Sequence, residues 1–296
     1  METFKHFNIS TDHENICWAE IDVNGKSVNV LTQEVMSDLA NILNWLEKNT
    51  TIKGFSLTSG KPGGFIYCAD IAEFELYRTK QDVRSHMEFV HGLFNRIENL
   101  HVPTAVGIDG IAVGGGLEIA LAFDHIITTS GNKTKLGFPE VNLGILPGYG
   151  GSGRAYGRIG TAAVAEMMIS GKPLIAEAAK DIGLIDRVVD GADDIKPAIK
   201  SWLKAQNQKK PEQKPIKKEN INPIKTSTED KKIETNTTLF RSKEHEVTIV
   251  NVTNPEIPID NSKVLKDETK QCSSFDSTSS TASCSTLSSS LGNKSD

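Results

Sequence analysis

The chain has 296 residues and a formal net charge of −5, with 38% hydrophobic and 24% charged residues. This length leaves room for one large or two small domains with a sizeable core. The acidic balance, without a basic stripe interleaved with aromatics, speaks against a nucleic-acid partner, and no apolar run is long enough to span a bilayer.

The opening residues, "METFKHFNISTDHEN", have neither an apolar signal core nor the Arg-rich bias of a transit peptide, so a cytoplasmic protein is expected. Cys17, Cys68, Cys272 and Cys284 are scattered and form no C-x-x-C pair. Free thiols are expected rather than a disulfide framework, and no metal site is expected.

In chain order, "ICWAEIDV" reads as a strand, with Asn24-Gly25 after it as a hairpin-like turn. "TQEVMSDLANILNWLEKNT" places Val35, Leu39, Ile42, Leu43 and Leu46 on one helical face, with Thr32 as N-cap. "IKGFSLTSG" is a second strand running into the loop "SGKPGGFIYCADIAEF", and "SHMEFVHGLFNRIENL" is an amphipathic helix. "VPTAVGIDGIAVGGG" reads as one apolar strand ending in glycines, followed by the helix "LEIALAF" and the strand "HIITTS". The alternation of strands and helices predicts an α/β domain with its site where strand ends meet helix starts. Two helical stretches and a short strand follow, and the pattern fades in "DDIKPAIKSWLKAQNQ".

Residues 1–205 therefore form the expected folded domain. Residues 206–296, first Lys- and Pro-rich and then Ser- and Thr-rich, form an expected disordered tail, because such a composition buries too little apolar surface to offset its ordering entropy. Within that tail, "EVTIVNVTNPEIPI" alone has strand-like alternation, which reads as incidental.

Gly114, Gly115 and Gly116 stand at a strand-to-helix junction. Without a Cβ the backbone can approach a ligand closely, and the unpaired N–H groups opening the helix suit a developing oxyanion. The same glycines would equally permit tight packing alone. Glu118 follows among apolar neighbours, and Glu140 follows Pro139. Each alone reads as a surface glutamate or as a carboxyl with a perturbed pKa. Together, on loops at one sheet edge, they read as a general acid/base pair for a carbonyl compound. The triple-glycine junction is not a dinucleotide fingerprint, since G-x-G-x-x-G with its downstream acidic strand end is absent there, and neither a phosphate loop nor a G-x-S-x-G elbow appears.

"GIAVGGGLEIALAFDHIITTS" with "TKLGFPEVNLGILPGYGG" resembles the paired signature of the crotonase (enoyl-CoA hydratase/isomerase) superfamily, most nearly the hydratase domain of multifunctional fatty-acid oxidation proteins. The likeness runs over about residues 4–205. It implies a crotonase-like fold of repeated β-β-α units with a shortened C-terminal helical region. It implies hydration of 2-enoyl-CoA thioesters, with Δ3,Δ2 isomerisation as an alternative activity, by Glu118 and Glu140. Backbone N–H groups of Ala69 and Gly115 would form the oxyanion hole, and Tyr67, Cys68, Asp70, Ile71 and Gly114 would line the coenzyme A-thioester site. No permanent cofactor is implied, coenzyme A entering as part of the substrate. The implied partners are an acyl-CoA thioester and a homotrimer or other β-oxidation enzymes.

Two departures from the family pattern stand out. Tyr67-Cys68-Ala69-Asp70 replaces a small-Gly-Ala-Asp sequence, which distorts the hole if that glycine needs positive φ and is harmless filling if it does not. The C-terminal helical segment that relatives use to complete the coenzyme pocket and build trimers is either missing or shortened to "DDIKPAIKSWLKAQ". These departures motivate the rival expectation of a non-catalytic acyl-CoA-binding or scaffold remnant.

Overall fold

The computed structural model describes residues 4–62 and 64–208, and the strand backbones of 237–241 and 246–250. Except for the end of one helix and those two strands, the expected tail lies outside the described residues, as do Cys272 and Cys284.

Two sheets carry the folded domain. The larger has six strands in the order β1-β2-β3-β5-β7-β9. These are β1 (Phe7–Thr11), β2 (Ile16–Ile21), β3 (Gly54–Ser59), β5 (Thr104–Ile108), β7 (His125–Thr129) and β9 (Arg187–Val189). Only the β1 pairing is antiparallel. The smaller has three parallel strands in the order β4-β6-β8, namely β4 (Gly64–Ile66), β6 (Ile111–Val113) and β8 (Lys135–Gly137).

The chain alternates between them: one strand in the large sheet, a short strand in the small sheet, then helix. β3 and β4 lead to α2 (Ile71–Phe74) and α3 (Lys80–Glu98), and β5 and β6 lead to α4 (Gly115–Ala120). β7 and β8 lead to a 3-10 turn (Pro139–Leu143), α5 (Gly151–Ser170) and α6 (Ala176–Asp181). This is the expected β-β-α repeat. Because β4, β6 and β8 are parallel neighbours, the segments leaving their carboxyl ends emerge side by side. Those segments hold Ala69, the three glycines with Glu118, and Glu140, where α/β sheets place ligands.

The apolar alternation of the strands sorts residues between two cores, one on each face of the large sheet. On one face lie Phe55, Leu57, Val106 and Ile126 with the buried stripe of α1 (Gln33–Lys48), including Val35, Leu39, Ile42, Leu43 and Leu46, and that of α3, Val90, Leu93, Phe94 and Ile97. As expected, Thr32 caps α1, its Oγ1 accepting from Val35 N at 3.1 Å. On the other face lie Ile16, Ala105 and Ile127 with Ile195, Ala198, Ile199 and Leu203 of α7 (Ile195–Gln208).

Several sequence expectations need correction. "VPTAVGIDGIAVGGG" is two strands in two sheets, because Gly110, at φ 98°, turns the chain between them. The hairpin precedes β2 rather than following it: β1 pairs with β2, and Asn24-Gly25 leads into an extended segment with no strand partner beyond a bridge from Leu31 to Ala69. "DDIKPAIKSWLKAQNQ" does not fade but makes α7. Pro197 falls in its first turn, where its missing N–H costs no helical bond. Gly107 supplies the room, since a Cβ there would strike Ile195 and lie 3.0 Å from Ile199. "EVTIV" is a strand, Glu246–Val250, paired antiparallel with Thr237–Arg241.

Candidate active site

α4 starts where it does because three glycines let it. Gly114 has φ 53° and ψ −130°, a conformation that a side chain resists, and a Cβ there would stand 3.0 Å from Glu140 Oε1. Gly116 packs against the end of β4, and a Cβ there would fall inside the Ile66 carbonyl. α4 is thus pressed onto the β4 strand end, with Gly115 between: a Cβ on Gly115 would lie 3.3 Å from Ala69 N.

The segment carrying Ala69 is held from its other side. Tyr67 N donates to Asn29 O, Leu31 N to Cys68 O and Asp70 N to Leu31 O. With Cys68 and Asp70 bonded to Leu31, the Ala69 N–H turns away from that segment by the strand alternation. The Ala69 amide and the start of α4 are therefore brought together. Cys68 is not in a left-handed conformation, the single non-glycine residue with positive φ among those described being Asn15. The glycine that Cys68 replaces is not needed here for backbone freedom.

Glu118 points inward. It is 2% exposed, and its Oε1 accepts from Tyr149 N and Gly151 N, both at 2.8 Å. Gly151 permits this approach, since a Cβ there would strike Glu118 Cγ. Glu140 is 8% exposed, and its buried Oε2 has no hydrogen-bond partner.

Burial pushes the Glu140 carboxyl up to about 7. It pushes Glu118 up to about 8, with the Glu140 charge adding and the Gly151 and Tyr149 amides and Arg154 opposing. Two interacting carboxyls titrate as a pair, so near neutral pH they hold about one proton between them. Burial, with Asp70 and Glu140 behind it, raises the Cys68 thiol to about 11, which leaves it protonated and a poor nucleophile.

The remaining expected site residues lie at the margin. The Tyr67 ring packs over Gly64, Asp70 pairs with Lys26 Nζ at 3.0 Å, and Ile71 opens α2 with its side chain outside the described part.

Sequence reasoning missed two supports. Arg154 spans from the Tyr149 carbonyl (3.1 Å) to Asn95 (2.8 Å) and Glu98 (3.1 Å), holding the loop whose amides bind Glu118. Asn29, 1% exposed, accepts from Val23 N and donates to the Ile21 and Phe65 carbonyls and to Ser59 Oγ, tying β2 and β3 to β4 beneath Ala69. A single Asn among apolar residues carries no periodic signal. Asn29→Ala leaves these buried groups unpartnered and should cost at least about 2 kcal/mol, read from urea unfolding; a loss below about 0.5 kcal/mol would contradict its role as a hub.

Residues 13–251 match the family model described as enoyl-CoA hydratase/isomerase. The chain belongs to the enoyl-CoA hydratase/isomerase family. Among similar proteins, the fatty acid oxidation complex subunit alpha of Shewanella amazonensis is 34% identical over 212 residues, covering 72% of this chain and 30% of the relative. That of Idiomarina loihiensis is 36% identical over 204 residues, covering 69% and 29%. The chain thus spans about 30% of the length of the curated relatives it matches. Among solved structures, an enoyl-CoA hydratase from Geobacillus kaustophilus superposes with a TM-score of 0.65 at 23% identity, over 70% of this chain and 76% of that one. One from Thermoplasma volcanium gives 0.62 at 26% identity, over 68% and 78%. The fold is that of the crotonase superfamily. Among the described residues no helix is long and apolar enough to cross a membrane.

Proposed function

We propose that this chain adds water across the double bond of 2-enoyl-CoA thioesters, giving 3-hydroxyacyl-CoA. The observation that carries the reading is that Glu118, in the first turn of α4, and Glu140, in the 3-10 turn after β8, are both buried and electrostatically coupled at the glycine junction facing Ala69 N.

In this reading the thioester oxygen accepts from the N–H groups of Ala69 and Gly115. Enolate charge that develops there is met by donors already in place, in a site poor in water. Glu118, its Oε1 held by two amides, keeps Oε2 for the reacting water and takes its proton as the oxygen adds to C3. Glu140, with Oε2 unpartnered, delivers a proton to C2. The reaction proceeds from the tautomer with the pair's single proton on Glu140, the less populated one because Glu118 is the more basic of the two, and it leaves that proton on Glu118; exchange with solvent resets the pair. Isomerisation of 3-enoyl thioesters needs a single carboxyl to carry a proton between C2 and C4, and the unpartnered Glu140 oxygen supports this as a second activity. Coenzyme A enters with the substrate, and no permanent cofactor is required.

The test is loss of the conjugated thioester absorbance when the full chain meets crotonyl-CoA. Turnover is expected to follow a bell: it falls with acid as both carboxyls protonate, below about 7, and with alkali as both ionise, above about 8. No turnover, together with tight crotonyl-CoA binding by calorimetry, would replace this reading with that of a non-catalytic acyl-CoA-binding protein. Turnover that rises steadily through alkaline pH would remove the shared-proton mechanism.

A further inference from the structure

The loop that holds Glu118 is itself held from α3. His91 donates from Nε2 to the Gly148 carbonyl at 2.6 Å, and His86 Nε2 shares a hydrogen bond of 2.9 Å with the Tyr149 hydroxyl. The Tyr149 ring stands edge-on to Phe94, centroids 6.1 Å apart, and tilted against His86 at 5.7 Å. Its Cδ2 lies 3.2 Å from where a Cβ on Gly115 would be, and its own N–H is one of the two that bind Glu118. Tyr149 therefore bridges two places, its hydroxyl on α3 and its amide on the carboxylate.

We propose that His86 is a positioning residue: by anchoring the Tyr149 hydroxyl it fixes the amide that orients Glu118, and so fixes which oxygen faces the reacting water. The inference rests on the reading of Glu118 as the group that takes the water's proton. Neither histidine lies in the glycine-glutamate motifs, and His86 reaches the site only through Tyr149. The ionisable groups near His86 are Tyr77, with rings 5.3 Å apart, Tyr149, and Asp82, one turn earlier on α3, which lines with His86 a cavity of about 570 Å³. Burial lowers the His86 pKa, so at neutral pH the ring anchors Tyr149 without bringing a positive charge toward Glu118. Glu118 is faced by Glu140, Arg154 and Tyr149 itself.

Crotonyl-CoA kinetics of the full chain and of His86→Leu, His86→Gln, Tyr149→Phe and the double variant His86→Leu/Tyr149→Phe test the proposal. His86→Leu and Tyr149→Phe should each lower kcat between about tenfold and a hundredfold with KM within about twofold, since a small misplacement of a reacting group costs this much. His86→Gln, which keeps a nitrogen at the reach of Nε2, should restore kcat to within about threefold of the parent. The double variant should be no slower than the slower single, because both remove one interaction. Unchanged kcat in His86→Leu, failure of Gln to rescue, or losses that multiply in the double variant overturn the proposal.

Absence of turnover in the parent overturns the hydratase reading instead. A second readout then decides the positioning: NMR titration of carbon-13-labelled glutamates, with the Glu118 signal assigned by its loss in Glu118→Gln. Glu118 should titrate at higher pH in both single variants, as a loosened amide holds the anion less. An unmoved titration overturns it.

Discussion

Glu118→Gln lowers kcat for crotonyl-CoA by about two to four orders of magnitude, the usual contribution of a positioned acid or base, and at the same time raises the thermal midpoint at pH 9. Both effects come from one fact, that this carboxyl is buried. Glutamine keeps an oxygen for the Tyr149 and Gly151 amides, so the loop stays in place, but it cannot take a proton from water.

The stability effect has a definite sign. The folded pKa, about 8, lies above the ordinary glutamate value of 4.5, so the folded state binds a proton that the unfolded state has released. Stability is therefore greatest below about 4.5 and is lost as pH rises toward 8. Glutamine removes that loss. At pH 9 the variant should melt at least about 3 °C higher, the shift that about 1 kcal/mol gives in a domain of this size, and the gap should close by pH 5. A variant less stable than the parent at pH 9 would mean that the Glu118 charge is compensated in the fold, and the raised pKa would be wrong.

The second large effect is Gly116→Ala, which should cut kcat/KM by about two to three orders of magnitude, as loss of an oxyanion donor does. A methyl at this position has no room, because the space is occupied by the Ile66 carbonyl, which is backbone and cannot rotate aside. α4 must shift off β4, and that shift carries Gly115 away from Ala69. Overpacking of this kind also costs about 1–3 kcal/mol. Gly153→Ala is the internal control: it lies in α5 with nothing within 4 Å of a Cβ, and alanine there should be neutral or stabilising by up to about 1 kcal/mol. Circular dichroism melts with crotonyl-CoA kinetics separate the two. Full activity in Gly116→Ala would show that the junction does not need the close approach described here.

How much of this was legible in the sequence follows from how far each interaction reaches along the chain. α1 and α3 were readable because a helix burying one stripe repeats its apolar residues every three to four positions, and Thr32 adds a local cap. The carboxyl pair was readable because Glu118 and Glu140 each sit in a short, unusual neighbourhood of glycine or proline. The division of residues 104–113 between two sheets was not, because a buried strand is apolar throughout and only Gly110 marks the break. α7 was obscured by Pro197 and by charges on its outer face, although its inner positions fill a core of their own. Asn29, His86 and Arg154 act across long sequence separations, through single hydrogen bonds that leave no periodic trace.

The most direct measurement is a crystal structure of the full chain with butyryl-CoA, the saturated thioester that cannot be hydrated. The thioester oxygen is expected within hydrogen-bond distance of both Ala69 N and Gly115 N, with C2 facing Glu140 and C3 facing Glu118. A thioester bound elsewhere, or one whose oxygen meets neither amide, would contradict the proposed mechanism.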